Sequence, residues 1–162
     1  MHFTFVTSFG RITLEEENHV VSRLYFANRS PNYSTSERPS LFLRQAAWEI
    51  REYLEGRSCD LYVPAAPVGM PTLRVIWERI RRIEYGKTVT AGDIVRMLGN
   101  RITVRAVVSA CRRNPIPIVI PTHRVIGVGD NLDELVEGSW TLRNRLLALE
   151  GGALKVQSHE YN

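Results

Sequence analysis

A hydroxyl, an imidazole and a guanidinium stand side by side at Thr122-His123-Arg124, and apolar residues flank them. The run before them, Pro115-Ile116-Pro117-Ile118-Val119-Ile120-Pro121, sets prolines among alternating aliphatic residues. Proline fixes φ and lacks an N–H, so the spacing predicts a stiff, extended segment rather than a helix. A polar triplet delivered by such a segment into apolar surroundings fits a binding or reaction site. It equally fits a buried strand end whose His123 and Arg124 satisfy backbone groups. Spacing alone leaves both readings open. Thiol chemistry has weaker support. Cys59 and Cys111 lie far apart, without a CxxC or a Cys/His cluster, which argues against a metal site and for a reducing compartment.

Charge is distributed unevenly. The net +4 of the 162 residues conceals a block, residues 72–124, with eleven basic side chains against Glu78, Glu84 and Asp93. Residues 125–162 are net acidic, and Asp130, Asp133, Glu134 and Glu137 crowd one loop. A basic block of this kind is the footprint of a phosphate-binding surface, or else a set of solvated arginine faces. With 44% apolar residues the chain has enough for a folded core. No apolar run reaches the roughly 18 residues of a membrane span, and no secretory signal is visible. The expectation is a cytoplasmic protein with no membrane association.

These elements must position the triplet. Phe3–Phe9, Ile12–Leu14 and Val20–Phe26 read as strands of a small antiparallel sheet, with a tight turn at Gly10-Arg11. A Ser/Pro/Asn-rich loop over residues 28–38 precedes a helix capped by Ser40 and closed by Gly56, its inner face Leu43, Ala46, Ala47, Ile50 and Leu54. Trp48 and Tyr53 read as packing residues, and Cys59 as buried or half-buried. The proline-rich segment 60–71 reads as a connection between lobes. Thr72 is expected to cap a helix with Leu73, Ile76, Trp77, Ile80 and Ile83 inward. Thr90, with Asp93 three residues on, should cap a short helix, and Thr103 should cap another that ends before Asn114-Pro115. The last two helices have the outline of a helix-turn-helix. In the second, Val104, Val107, Ala110 and Cys111 form the expected packing face. Arg105, Ser109 and Arg112 form an outer face open enough to approach a nucleic acid. The expected fold is α+β: residues 1–66 form a small N-terminal antiparallel sheet with a helix, residues 67–157 a mainly helical, helix-turn-helix (winged-helix-like) domain, and 158–162 a tail.

The loop resembles the active loop of the 6-O-alkylguanine-DNA alkyltransferases, N-P-x-x-I-x-x-P-C-H-R-V. Asn114, Pro115, Ile118, Pro121, His123, Arg124 and Val125 match this pattern. The resemblance extends to Ser8-Phe9-Gly10-Arg11-Ile12, to Tyr85-Gly86-Lys87-Thr88 (Y-G-x-T), to Arg105-Ala106-Val107 (R-A-V at the start of the recognition helix) and to Leu146-Leu147-Ala148-Leu149-Glu150-Gly151 (L-L-x-x-E-G). What it implies is transfer of an alkyl group from guanine in DNA to a cysteine, in a single turnover and without a cofactor. Thr122 stands where the family keeps that cysteine. His123, Glu150 and Asn114 match the relay around it, and Arg124 reads as structural. A threonine hydroxyl is far less acidic than a thiol, so alkyl transfer is not expected.

By the same resemblance, double-stranded DNA would meet Arg105, Ala106, Ser109, Arg101, Arg112, Thr72 and Thr90. The lesion pocket is altered. Ala91 follows Thr90 where the family has a tyrosine, Leu135 and Val136 stand for a tyrosine and a serine, and Val108 replaces a glycine. The implied function is recognition of alkylated guanine in DNA repair by a catalytically inactive monomer, with or without a repair protein as partner. The alternative is an interaction module that kept the fold and lost lesion recognition, its acidic loop over residues 130–137 facing a protein. An enzyme using Cys111 instead is a third reading.

Overall fold

The computed structural model describes residues 1–33, 38–128, 135–137 and 140–159, without the side chains of residues 28, 135–137, 140 and 152–159. The chain is α+β and divides into two compact units. Met1–Val68 together with Pro115–Val119 make the first; Gly69–Asn114 and Ile120–Asn162 make the second.

In the first unit, β1 (His2–Thr7), β2 (Gly10–Glu17) and β3 (Val20–Phe26) form an antiparallel sheet in the order β1-β2-β3. Alternation buries Phe5, Ile12, Leu14 and Leu24 on one face, while Val21 is buried at the β3 edge beside residues 64–66. The first turn falls at Ser8-Phe9, two residues earlier than expected. Thr7 Oγ1 accepts from the Phe9 N–H at 3.0 Å and donates to the Gly10 carbonyl at 2.8 Å, so the threonine closes the turn and Gly10 already belongs to β2. Helix α1 (Leu41–Leu54) packs across β1 and β2, and Ser40 Oγ accepts from the Leu43 N–H as a cap at 3.0 Å. Tyr53 is buried, but Trp48 is 53% exposed because it lies on the helix face opposite the core. Cys59 is exposed as well, contrary to expectation, since it follows the end of α1 in an irregular stretch. The edge of β3 is occupied. Val21 exchanges backbone hydrogen bonds with Pro64 and Ala66, and the Leu24 N–H donates to the Pro115 carbonyl.

In the second unit, α2 (Pro71–Arg81), α3 (Ala91–Met97) and α4 (Val104–Arg112) pack on one another around Ile76, Trp77, Ile80, Ile94, Val107 and Ala110. The Trp77 indole donates to the Ala110 carbonyl at 2.8 Å. Gly69 runs against that indole, where a Cβ would come within 2.7 Å of the ring. Thr72 does not cap α2. Met70 is the cap and Pro71 takes the first helical position, where a missing N–H costs nothing, so Thr72 falls inside the helix. Thr90 and Asp93 do form a capping box, and Thr103 Oγ1 accepts from the Ala106 N–H at 3.1 Å. Val104 is 50% exposed rather than packed, because it lies at the edge of the inner face in the first turn of α4. Beyond the loop, β4 (Val89–Thr90) pairs in parallel with β5 (Val125–Ile126), and β6 (Leu135–Glu137) pairs with β7 (Trp140–Thr141). Helix α5 (Leu142–His159) follows.

The proline-rich run is not simply extended. Ile118 adopts φ 74 and turns the chain. Pro121 has φ -80 and ψ 66, and the Thr122 N–H donates to the Ile120 carbonyl at 2.8 Å, an inverse γ-turn. Thr122–Arg124 then form one turn of 3₁₀ helix that leads into β5.

Candidate functional site

Thr122 is 1% exposed, and its polar atoms are held from several sides. Asn114, just past the end of α4, donates from Nδ2 to the Ile120 carbonyl at 2.8 Å and to Thr122 Oγ1 at 3.1 Å. One amide therefore fixes both the γ-turn and the hydroxyl. Arg143, buried at the start of α5, donates from Nη1 to the carbonyls of Thr122 and Val125, each at 2.8 Å. Arg143 was not singled out in the sequence. Its signal is positional: Leu146 and Glu150 continue its inward face one and two turns later, which makes it an arginine aimed at a core.

Behind the turn, the Glu150 carboxylate gathers donors from two stretches of chain. His123 Nε2 lies 2.7 Å from Oε2, Arg124 donates from Nη2 to Oε2 at 2.6 Å and from Nε to Oε1 at 2.8 Å, and the Gly86 N–H reaches Oε1 at 3.3 Å. Arg124 also donates to the Ile83 carbonyl at 2.7 Å and lies 5.7 Å over the Tyr85 ring. Burial alone would raise the pKa of Glu150. The hydrogen bonds and charges of His123 and Arg124 outweigh it and hold the carboxyl well below the usual range. His123 is fully buried, and desolvation pulls its pKa below the ordinary 6.5 despite the neighbouring carboxylate. The imidazole is therefore neutral at pH 7. Because an ionised carboxylate only accepts, the proton sits on Nε2. A neutral imidazole oriented by a carboxylate is the arrangement of a general base.

Residues 71–152 match the family 6-O-methylguanine DNA methyltransferase, DNA binding domain. The chain belongs to this family. It is 37% identical over 110 residues to the methylated-DNA–protein-cysteine methyltransferase of Methanosarcina acetivorans, covering 68% of this chain and 70% of that one. The constitutive enzyme of that name from Bacillus subtilis is 28% identical over 150 residues, 89% of this chain and 91% of its own. Among solved structures, the Mycobacterium tuberculosis O6-methylguanine methyltransferase superposes with a TM-score of 0.72 at 29% identity over 93% of each chain. The OGT of that organism in complex with DNA gives 0.73 at 27% identity over 92% of this chain and 91% of its own.

Within this member of the family, the structure joins Asn114 to Thr122, and His123 and Arg124 to Glu150, in two hydrogen-bonded sets that meet along the Thr122–Arg124 turn. The remaining residues singled out in the sequence lie elsewhere. On α4, Arg105 and Arg112 are exposed, while Ala106 and Ser109 are half-buried; Arg101 is exposed in the connection before it. Thr90 is exposed at the start of α3, and the β4–β5 pair sets it opposite Ile126, two residues beyond Arg124. Ala91 is buried beside it. Thr72 is exposed on α2. Leu135 and Val136 form part of β6, with their side chains outside the described residues, as are residues 130, 133 and 134 of the acidic loop. Cys111 is 2% exposed on the inner face of α4. Among the described residues, no group of three or more His, Cys, Asp and Glu side chains could hold a metal ion, and no helix is long and apolar enough to cross a membrane.

Proposed function

We propose that this chain binds double-stranded DNA through α3, α4 and the basic residues around them, in the service of alkylguanine recognition, and that it accepts no alkyl group. The observation that carries the reading is Thr122 itself. By the resemblance of the loop it stands at the family's cysteine position, with Asn114 bonded to its hydroxyl and His123 and Arg124, next in the chain, bonded to Glu150. A cysteine near pKa ~8.5 can be ionised by a neighbouring imidazole. A threonine hydroxyl is far less acidic, β-branched, and here already accepts a hydrogen bond from Asn114. DNA binding is supported by the exposed Arg101, Arg105 and Arg112 and by the fold shared with an OGT solved in complex with DNA. In this reading α3 and α4 act as a helix-turn-helix, with Arg105 at its leading end. The interaction-module alternative draws on Ala91, Leu135 and Val136, which offer no hydrogen-bonding side-chain atoms to a flipped base.

Incubation with duplex DNA carrying O6-methylguanine, followed by intact mass, should leave the protein without an added methyl. Fluorescence anisotropy should show salt-sensitive binding with a slope of about −3 if Arg101, Arg105 and Arg112 each meet a phosphate. Arg105→Ala should weaken binding several-fold and reduce that slope by about one. A stoichiometric methyl gain would overturn the inactive assignment. Equal affinity of Arg105→Ala and wild type would favour the interaction module.

A further inference from the structure

The outer face of α4 carries more than its arginines. The packing side of this helix is Val107, Ala110 and Cys111, all buried. At about 100° per residue, Arg105 and Arg112 fall on the opposite side, and Val108 falls between Arg112 and Val104 around the circumference. Val104 is 50% exposed and Val108 half-buried. Standing at i and i+4, the two branched side chains make a short aliphatic ridge beside two exposed guanidiniums. Every other exposed residue from Arg101 to Arg113 is polar. A solvated helix face takes better helix formers than valine, and by the resemblance a glycine would stand at position 108. From Arg105 to Arg112 the axis advances by about 10 Å, with Val108 near mid-height. Where both guanidiniums reach phosphates, the ridge between them faces base edges.

We propose that Val104 and Val108 make this face of α4 select A·T over G·C pairs in the duplex it binds. The inference rests on the DNA-binding reading above and adds a sequence preference to it. Charge selects the occupant, since no acidic residue occurs from Ile94 to Val128. The preference follows from what each base pair presents. In the minor groove a G·C pair adds the guanine N2 amine, a donor that an aliphatic side chain leaves desolvated and unpaired. In the major groove an A·T pair offers the thymine methyl, an apolar partner for valine. Whichever groove receives α4, the ridge favours A·T.

Fluorescence anisotropy of the full chain on short labelled duplexes of equal length, composed of A·T or of G·C pairs in mixed order, tests it. Wild type should bind the A·T duplex about fivefold more tightly, the lower end of what one unsuitable base pair costs. The double variant Val104→Thr, Val108→Thr keeps the shape of both side chains and adds hydroxyls that accept from an amine. Its ratio should fall close to one, with the salt slope unchanged. Arg105→Ala should do the reverse, lowering the slope by about one and keeping the ratio. Inosine in place of guanine removes the minor-groove amine, and uracil in place of thymine removes the major-groove methyl; one of the two should abolish the preference. Unchanged circular dichroism of the variants separates altered recognition from lost fold. Equal affinity for the two duplexes with a normal salt slope would overturn this inference and leave the DNA-binding reading standing. A preference that survives both threonines, or is indifferent to both base analogues, would overturn it as well. No binding of any duplex at low salt would remove the inference together with the reading beneath it.

Discussion

Glu150→Gln is the perturbation that asks most of the buried cluster. The substitution keeps the shape of the side chain and removes its charge. In the native protein this carboxylate neutralises Arg124 through contacts at 2.6 and 2.8 Å, accepts from His123 at 2.7 Å and takes the Gly86 N–H at 3.3 Å. An amide retains one acceptor oxygen and turns an NH₂ toward one of these donors. Arg124 is 9% exposed, so its charge has little solvent to turn to. Removing one partner of a buried pair costs about 3–5 kcal/mol, and the retained amide oxygen points to the lower figure. At roughly 2–4 °C per kcal/mol for a chain of this size, the melting temperature should fall by roughly 6–12 °C. Urea unfolding followed by circular dichroism and tryptophan fluorescence measures the loss directly. The exposed pair supplies a control, since Glu52→Gln removes the same charge where solvent replaces it and should have a much smaller effect. If Glu150→Gln cost less than about 1 kcal/mol, the cluster would behave like a surface ion pair, and the burial argument would be wrong.

Stability should fall as the solution is acidified. Between pH 6.5 and the depressed pKa of His123 the unfolded chain takes up a proton that the native imidazole refuses, so the stability this histidine contributes is present above 6.5 and lost below it, by at most about 1.4 kcal/mol per pH unit. Glu150 has the same sign, with its contribution present above 4.5 and lost as pH falls further; an unfolding free energy flat from pH 7 to 5, measured in urea, would refute the assignment of a neutral, buried His123. Thr122→Cys should not restore alkyl transfer at a useful rate. If Leu135 and Val136 line the lesion pocket, as the resemblance implies, two unpaired polar groups on a flipped guanine at roughly 1–3 kcal/mol each would amount to tenfold or more in rate, and rapid single-turnover repair of methylated duplex by this variant alone would refute that reading of the two residues.

What could be read from the sequence was what local chemistry decides. Ser40, Thr90 and Thr103 were identified as caps because a short hydroxyl side chain answers an unpaired helix N–H within three residues, with no help from the rest of the fold. His123 and Arg124 stood out because polar side chains among apolar ones must find partners; the resemblance pointed to Asn114 and Glu150, and the structure bonds Glu150 to His123 and Arg124 and Asn114 to Thr122 beside them. Arg143 escaped because its neighbours Asn144 and Arg145 make the start of α5 look like a solvated face, while its actual acceptors are backbone carbonyls that no side-chain pattern encodes.

The turn at Ile118 was illegible for a deeper reason. Prolines on either side and alternating aliphatics favour an extended chain, and a β-branched residue resists positive φ, at a local cost of roughly 1–3 kcal/mol. The same side chain is 3% exposed, and burying an isoleucine contributes roughly 1.5–3 kcal/mol, enough to offset the strain. Periodicity records the preference being overruled; it carries no trace of the packing that overrules it. At Pro121 a different device is at work: the γ-turn and the Asn114 amide together orient Thr122. Neither Ile118's positive φ nor this turn follows from local propensity, and that is why periodicity missed both.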